Sequence, residues 1–181
     1  MSEGELLQIE KTRKLNLSED VYFEIIRNNT ASLLSSACAA GTWSTTNDPY
    51  KTEQMKLFGE KAGIAFQIKD DLFDYGSESI GKPTGNDIKE RKLTLPLIYT
   101  LNTVSAAKKR ELIYIIKNEN RDPKKVKTVI DTVVSAGGIA YAEEKMNQYR
   151  DEALNILYEF EDGHVRKALE QLVRYTTDRK Y

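Results

Sequence analysis

The chain has 181 residues, of which 27 are lysine or arginine and 28 are aspartate or glutamate, so its net charge is −1. This length suits one domain with a sizeable core, and the balanced charge gives no general bias toward nucleic acid. A single cysteine and a single histidine exclude disulfides within the chain and zinc sites built from several such ligands. No apolar run is long enough to span a membrane and no hydrophobic signal core begins the chain, so we predict a soluble cytoplasmic protein.

Helical periodicity begins near the N-terminus. Residues 3–15 predict a short amphipathic helix. Ser18 is a candidate N-cap for a second helix, which is predicted over 19–40 and ends at Gly41. The second half of this helix is small and apolar, which allows close contact with other helices, so we place it in the centre of the fold.

The rest of the chain also reads as helices separated by short breaks. The predicted segments are a capping turn at 45–49, a third helix over about 50–75, a loop over 76–86, a helix over 87–101 in which Pro96 marks a new helical start or a kink, and helices over 105–118, 123–136, 138–161 and about 163–177. No pair of strands shows period-two alternation. We expect the terminal Arg179 and Lys180 to be frayed, and closure of this basic end over a phosphate-bearing ligand is the alternative. The predicted fold class is all-α, with one domain over 1–181 packed around a central acidic helix.

The third predicted helix carries an acidic strip, formed by Gln67, Asp70, Asp71 and Asp74. These residues fall within an arc of about 100° on a helix, and apolar residues lie on both sides of them. The pattern predicts a helix buried by its neighbours, with its carboxylates lining an internal cavity. Three carboxylates this close need cations nearby, and oxygen ligands suit Mg²⁺ that is completed by water and a substrate phosphate. A solvated acidic face is the alternative for an isolated motif of this kind, whereas the order of residues excludes an EF-hand loop.

The loop after the acidic helix adds glycine and positive charge. Gly81 and Lys82 are followed by Asp87 and Lys92. A glycine-supported lysine just beyond the carboxylates can reach back to the anionic ligand of a bound metal ion. The alternative is a flexible, solvent-exposed loop with ordinary charges. The loop is not a Walker phosphate loop, because that glycine–lysine pattern is missing.

Together these residues resemble a known family. Residues 66–74, then Gly81-Lys82 and residues 87–97, are similar to the second aspartate-rich region of trans-isoprenyl diphosphate synthases, and the sequence is closest in style to bacterial octaprenyl and other long-chain polyprenyl synthases. The resemblance implies an antiparallel helical bundle of the isoprenoid synthase type. It also implies prenyl transfer, in which isopentenyl diphosphate attacks the carbocation left by an allylic diphosphate and the product grows by one isoprene unit.

The resemblance further implies roles for individual residues. The implied metal ligands, which would bridge to the substrate diphosphate through Mg²⁺, are Asp70, Asp71 and Asp74, with Asp70 the most direct. The implied substrate-binding residues are Thr30, Gln67, Lys82 and Lys92. Asp70 and Lys82 are the predicted catalytic residues, because metal and lysine stabilise the charge on a leaving diphosphate.

The sequence departs from the family pattern in two places. The first aspartate-rich motif, a DDxxD with paired arginines, is absent, so the chain resembles the C-terminal portion of a synthase. We therefore predict that it has no prenyl transferase activity alone, that it needs an N-terminal half or a partner chain, and that it forms a homodimer as the resemblance implies. Asn29 stands where the family usually has a lysine before Thr30, and we expect it to be a polar helix residue without a binding role.

Two further functions stay open. A non-catalytic or regulatory subunit, which pairs with another prenyl synthase chain, fits the missing motif and Asn29. A terpene cyclase or a head-to-head synthase shares the metal chemistry, although residues 81–97 fit it less well.

Overall fold

The computed structural model describes residues 18–76 and 84–179, and the helix predicted over 3–15 lies outside these residues. The described part is all-α, as predicted, and contains no strand. Its helices are α1 (Glu19–Ile26), α2 (Ser32–Thr46), α3 (Pro49–Phe73), α4 (Asn86–Lys89), α5 (Leu95–Thr103), α6 (Ala106–Asn118), α7 (Pro123–Ser135), α8 (Gly138–Tyr158) and α9 (His164–Asp178). A π-helical turn, Arg27–Ala31, joins α1 to α2.

The helical segment that begins at Glu19 is longer than predicted. Ser18 caps it as predicted, because the Ser18 hydroxyl accepts a hydrogen bond from the Val21 N–H at 3.4 Å. The predicted end at Gly41 is wrong: Gly41 stays helical, and the helix continues to Asn47, whose left-handed φ of 51° ends it. Asparagine adopts this conformation more readily than most residues, so Asn47 is the true stop signal.

Helix α3 is the central element of the described structure. Asp48 caps its N-terminus by accepting hydrogen bonds from the Tyr50 and Lys51 N–H groups at 2.9 and 3.2 Å, and Pro49 occupies the first turn. Helices α2 and α8 both pack against α3. This packing agrees with the prediction of a helix enclosed by its neighbours.

The contact between α2 and α3 is very close at two glycines of α3. A Cβ on Gly59 would lie 2.7 Å from the Leu34 carbonyl oxygen, and a Cβ on Gly63 would lie 2.7 Å from the Ala31 Cα. Only a residue without a Cβ lets the two backbones approach this closely. The approach also brings Thr30, in the π-helical turn, within hydrogen-bond distance of α3.

Much of α2 is nevertheless exposed, which differs from the prediction that this helix lies in the centre of the fold. Leu33, Leu34 and Trp43 have exposed fractions of 61%, 40% and 49%. Residues 28–46 carry no charged side chain. The small, uncharged surface that suggested a central position is therefore present, but the described residues cover only part of it.

The helix predicted over 87–101 is divided. α4 is a single turn, Thr94 is extended, and Pro96 lies in the first turn of α5, so Pro96 marks a new helical start. A Cβ on Gly138, at the start of α8, would lie 2.5 Å from the Pro96 carbonyl oxygen, so glycine also permits close packing of α5 and α8.

The last four predicted helices are observed, and α8 ends at Tyr158 rather than at 161. Two hydrophobic clusters hold the helices together, and both draw residues from α3 and α8. The larger includes Ile64, Ile68, Leu97, Leu112 and Met146, and the smaller includes Met55, Phe58, Leu154, Leu157 and Val173. Within the described ranges, no helix combines the length and the apolar character needed to cross a membrane.

Candidate functional site

The C-terminal end of α3 carries the acidic strip, but its residues lie in different environments. Asp71 is buried, with 1% of its surface exposed. The Asp70 side chain is 39% exposed. Gln67 and Asp74 are partly buried. The strip is therefore not a uniform set of ligands facing one cavity.

Asp71 is the centre of a hydrogen-bond network. Its Oδ2 accepts a hydrogen bond from Tyr22 Oη at 2.9 Å, and its Oδ1 accepts from Gln67 Nε2 at 3.1 Å and from Lys92 Nζ at 2.9 Å. Thr30 donates to Gln67 Oε1 at 2.7 Å, which turns the Gln67 amide so that its NH₂ group faces Asp71. The structure thus brings together Thr30, Gln67, Asp71 and Lys92, four of the predicted site residues.

Asp74 holds the segment that follows α3. Its two carboxylate oxygens accept hydrogen bonds from the N–H groups of Asn86 and Asp87 at 2.8 and 3.0 Å, and its carbonyl oxygen accepts from the Gly85 N–H at 2.9 Å. Burial raises the pKa of Asp74, while the two backbone donors and nearby lysines oppose the rise. Asp74 therefore ties α4 to the end of α3.

Asp70 contacts the last described residue of the chain. The Arg179 guanidinium donates a hydrogen bond to the Asp70 carboxylate and lies 5.0 and 4.9 Å from the ring centroids of Phe66 and Phe73. Ion pairing and cation–π contact both favour this position. The prediction that Arg179 is frayed is therefore wrong, and Lys180 lies outside the described residues.

Lys92 and Asp87 complete the charged cluster. Lys92 Nζ lies 2.9 Å from Asp71 Oδ1 and 3.6 Å from Asp87 Oδ1. Burial alone would lower the pKa of Lys92, but these two carboxylates outweigh it and the pKa is raised. Burial raises the pKa of Asp87 to about 7; Lys92 opposes this rise, whereas the charges of Asp71 and Asp74 add to it. Lys92 is therefore cationic at neutral pH and shared between two carboxylates.

The donor set fits a Mg²⁺ ion that takes few ligands from the protein. Among residues 18–76 and 84–179, no three carboxylate, histidine or cysteine side chains converge into a ready-made metal site. Mg²⁺ commonly takes only one or two protein carboxylates and completes its shell with water and substrate phosphate. The exposed Asp70 carboxylate suits that arrangement. Lys82, the remaining predicted site residue, lies outside the described residues, and Asn29 lies in the π-helical turn.

Sequence reasoning did not identify Tyr22 or Arg179 as site residues. Tyr22 is separated from Asp71 by 49 residues and Arg179 from Asp70 by 109, so no local motif joins either pair. Tyr22 lies on the buried side of α1 with Ile25 and Ile26, so its periodicity indicates an ordinary core residue. Its hydroxyl was the one available signal, because a buried tyrosine usually finds a hydrogen-bond partner.

The raised pKa of Asp87 predicts that stability depends on pH. An aspartate in the unfolded chain has a pKa of about 3.9. Between about pH 4 and pH 7 the folded state therefore keeps a proton that the unfolded state has released. The free energy of unfolding should fall as the pH rises through this window, by about 1.4 kcal/mol for each unit by which the two pKa values differ. Asp87→Asn should flatten this slope in urea denaturation recorded with EDTA.

Asp131→Asn is the control for this measurement. The Asp131 side chain is 61% exposed on α7 and pairs only with Lys127 among the described contacts. This substitution should leave the slope unchanged. A full slope in Asp87→Asn would contradict the assignment of the raised pKa to Asp87.

Comparison with known proteins identifies the family. Residues 1–133 match the family model described as polyprenyl synthetase. The chain is 31% identical over 181 residues to a short chain isoprenyl diphosphate synthase of Methanothermobacter thermautotrophicus, covering 99% of this chain and 55% of the relative. It is 25% identical over 181 residues to the octaprenyl diphosphate synthase of Escherichia coli, covering 99% of this chain and 56% of the relative.

Solved structures agree with this result. The geranylgeranyl pyrophosphate synthase from Bacteroides thetaiotaomicron matches with a TM-score of 0.90 and 38% identity, over 98% of this chain and 59% of that chain. The polyprenyl synthase from Caulobacter crescentus, complexed with calcium and isoprenyl diphosphate, matches with a TM-score of 0.90 and 31% identity, over 99% of this chain and 56% of that chain.

The fold is therefore the all-α fold of isoprenyl diphosphate synthases. The chain belongs to the polyprenyl synthetase family, which confirms the resemblance found in the sequence. It spans about half the length of the curated relatives it matches.

Proposed function

We propose that this chain forms one wall of a prenyl transferase active site, which condenses an allylic diphosphate with isopentenyl diphosphate to give a trans-polyprenyl diphosphate. The observation that carries the proposal is the arrangement at the end of α3, where the exposed Asp70 carboxylate is adjacent in sequence to Asp71, whose buried carboxylate pairs with the Lys92 ammonium. Such a surface offers an oxygen ligand for a cation and an ammonium group for a diphosphate. The names of the relatives, which are isoprenyl and octaprenyl diphosphate synthases, support the same reaction.

Each residue of the site has a proposed task. Mg²⁺, when bound, would neutralise the diphosphate of the allylic substrate and help it to leave. Asp70 would hold the cation directly, whereas the carboxylates of Asp71 and Asp74 hold Lys92 and the segment that follows α3. The relative with calcium and isoprenyl diphosphate supports a divalent cation at such a site. The proposed substrate-binding residues are Thr30, Gln67, Lys82 and Lys92, and the proposed catalytic residues are Asp70 and Lys82.

A second wall is needed to exclude water from a carbocation. The exposed Leu33, Leu34 and Trp43, on a segment without charge, are the kind of surface that packs against further helices. We assign this role to an N-terminal half or a partner chain. Residues 1–181 would then form one helical unit of the complete enzyme, which we propose is a cytoplasmic homo-oligomer such as a dimer. The chain alone is then inactive as a prenyl transferase.

A non-catalytic or regulatory subunit is the second candidate. The Arg179 contact favours it, because a cation of the protein already neutralises the Asp70 carboxylate. Asn29 favours it as well, since an amide supplies no charge for a diphosphate. In such a subunit, diphosphate binding would be weak and would not depend on Mg²⁺.

The two candidates differ in their response to Mg²⁺. In amide NMR spectra of the chain, geranyl diphosphate and Mg²⁺ together should shift the signals of α3 around Asp70 and leave those of α7 unchanged. EDTA should abolish the shifts. Shifts that persist in EDTA, or no shifts at all, would support the regulatory subunit. With isopentenyl diphosphate also present, the pure chain should form no elongated product, and elongation would contradict the need for a second wall.

A further inference from the structure

The Asp71 carboxylate is already occupied by protein donors. Its side chain has no exposed surface, and its two oxygens accept hydrogen bonds from Tyr22, Gln67 and Lys92. A metal ligand must place an oxygen about 2.0–2.1 Å from Mg²⁺, and because the Asp71 side chain has no exposed surface, a cation could reach its oxygens only if one of these donors moved away. A buried donor left without an acceptor is strongly unfavourable. Solvent reaches Asp70, by contrast, because its side chain is 39% exposed.

The backbone conformation before Lys92 directs the Lys92 ammonium group toward Asp71. Arg91 has a φ of 60°, a left-handed conformation that is uncommon outside glycine. The chain turns back here, and the Lys92 N–H donates to the Asp87 carbonyl oxygen at 2.8 Å. The Lys92 side chain, 28% exposed, then places its ammonium between the Asp71 and Asp87 carboxylates. Lysine has a flexible stem, so two fixed carboxylates are what hold its charge at one point.

Tyr22 supports this arrangement from the buried side. It is 2% exposed, and its hydroxyl donates to Oδ2 of Asp71, the oxygen that Lys92 does not use. Burial, with the added effect of the Asp71 charge, raises the pKa of Tyr22 well above its ordinary value, so the hydroxyl stays protonated at neutral pH. Without this bond, Oδ2 of Asp71 would have no hydrogen-bond partner among residues 18–76 and 84–179.

We infer that Tyr22 and Asp71 are positioning residues: Tyr22 fixes the Asp71 carboxylate, Asp71 anchors the Lys92 ammonium, and Asp71 does not itself bind metal. This inference rests on the proposed function, because the anchored ammonium acts on the diphosphate of the allylic substrate. It divides the tasks of two adjacent aspartates. Asp70 contacts the cation, and Asp71 sets the position of the lysine.

Two conservative variants and a matched control test the inference. Tyr22→Phe removes only a hydroxyl, and Asp71→Asn removes charge while keeping the shape of the side chain. Tyr141→Phe is the control, because the Tyr141 hydroxyl also donates to a carboxylate, that of Glu19, at 2.7 Å. Two probes are used. Binding of Mn²⁺ alone is measured by water-proton relaxation, and binding of geranyl diphosphate with Mg²⁺ is measured by amide NMR. The NMR signal of the Lys92 ammonium reports on the anchor directly.

Tyr22→Phe and Asp71→Asn should each weaken binding of geranyl diphosphate by at least about tenfold, as expected for the loss of one hydrogen bond to a charged group. Both should move the Lys92 ammonium signal and leave Mn²⁺ affinity unchanged. Tyr141→Phe should change none of these. The inference is overturned if Asp71→Asn loses Mn²⁺ affinity as Asp70→Asn does, or if Tyr22→Phe behaves like Tyr141→Phe.

A failure of the proposed function would look different. In that case the wild-type chain would bind no geranyl diphosphate, yet the ammonium signal would still move in Tyr22→Phe and Asp71→Asn if the anchor exists. Thermal melting of each variant identifies any that does not fold. If Asp71→Asn does not fold, the inference is decided by Tyr22→Phe alone, because this variant keeps the buried ring and the Asp71–Lys92 ion pair.

Discussion

Replacing Gly63 with valine should lower the free energy of unfolding by about 3 kcal/mol, because the larger side chain forces α2 away from α3. A Cβ at this position would lie 2.7 Å from the Ala31 Cα and 3.0 Å from its Cβ. These atoms cannot rotate out of the way, so the backbone must move. The same movement would separate Thr30 from Gln67, whose hydrogen bond is 2.7 Å long. Chemical denaturation of both proteins measures the change.

Gly41→Val is the matched control. Gly41 is also helical, and no heavy atom lies within 4 Å of the position that its Cβ would take. Valine is a slightly better helix former than glycine, so the free energy of unfolding should change by no more than about 0.5 kcal/mol. Equal effects of the two substitutions would show that α2 does not pack directly on α3.

The helix boundaries could be predicted from sequence where their signals are local. Asp48, Ser105 and Asp122 each accept a hydrogen bond from an N–H group two or three residues later, so the cap and its helix are adjacent in the chain. The end of α2 could not be predicted in this way. Glycine is the commonest residue at a helix end, yet nothing around Gly41 requires a left-handed backbone, and Thr45 bonds back to the Gly41 carbonyl oxygen within the continuing helix.

The candidate site could be predicted only as far as one helix reaches. The residues of the acidic strip share a face because helical spacing fixes their directions. Which of them is buried depends on Tyr22, from 49 residues before Asp71, and on Lys92, from 21 residues after it. A helical wheel contains neither partner. It therefore places all three aspartates on one strip, although their surroundings differ.

The family assignment and the site geometry constrain different parts of the function. Membership of the polyprenyl synthetase family follows from the match over residues 1–133, and it favours diphosphate chemistry. The positions of the side chains support the proposed division of tasks among them. An exposed carboxylate at Asp70 and an anchored ammonium at Lys92 are complementary to the cation and the anion of a metal–diphosphate pair.

Asp70→Asn should weaken Mg²⁺-dependent binding of geranyl diphosphate by at least about tenfold, since changes to groups around a bound metal commonly cost 10- to 100-fold. Asparagine keeps the size of the side chain but lacks the negative charge that a hard cation prefers. Asp131→Asn is the control, because it removes the same charge from an exposed position on α7. Equal weakening in both variants would show that the effect comes from overall charge rather than from a contact with the cation.

Arg179 provides an internal check on this expectation. Its guanidinium occupies the Asp70 carboxylate, so a divalent cation must displace it. Arg179→Ala should therefore increase the affinity for Mn²⁺. The double variant Asp70→Asn/Arg179→Ala should bind Mn²⁺ no better than Asp70→Asn alone, because the arginine acts through that carboxylate and the two effects are not additive. An equal gain in both backgrounds would mean that the arginine acts on another group, and Asp70 would lose its assignment as the metal contact.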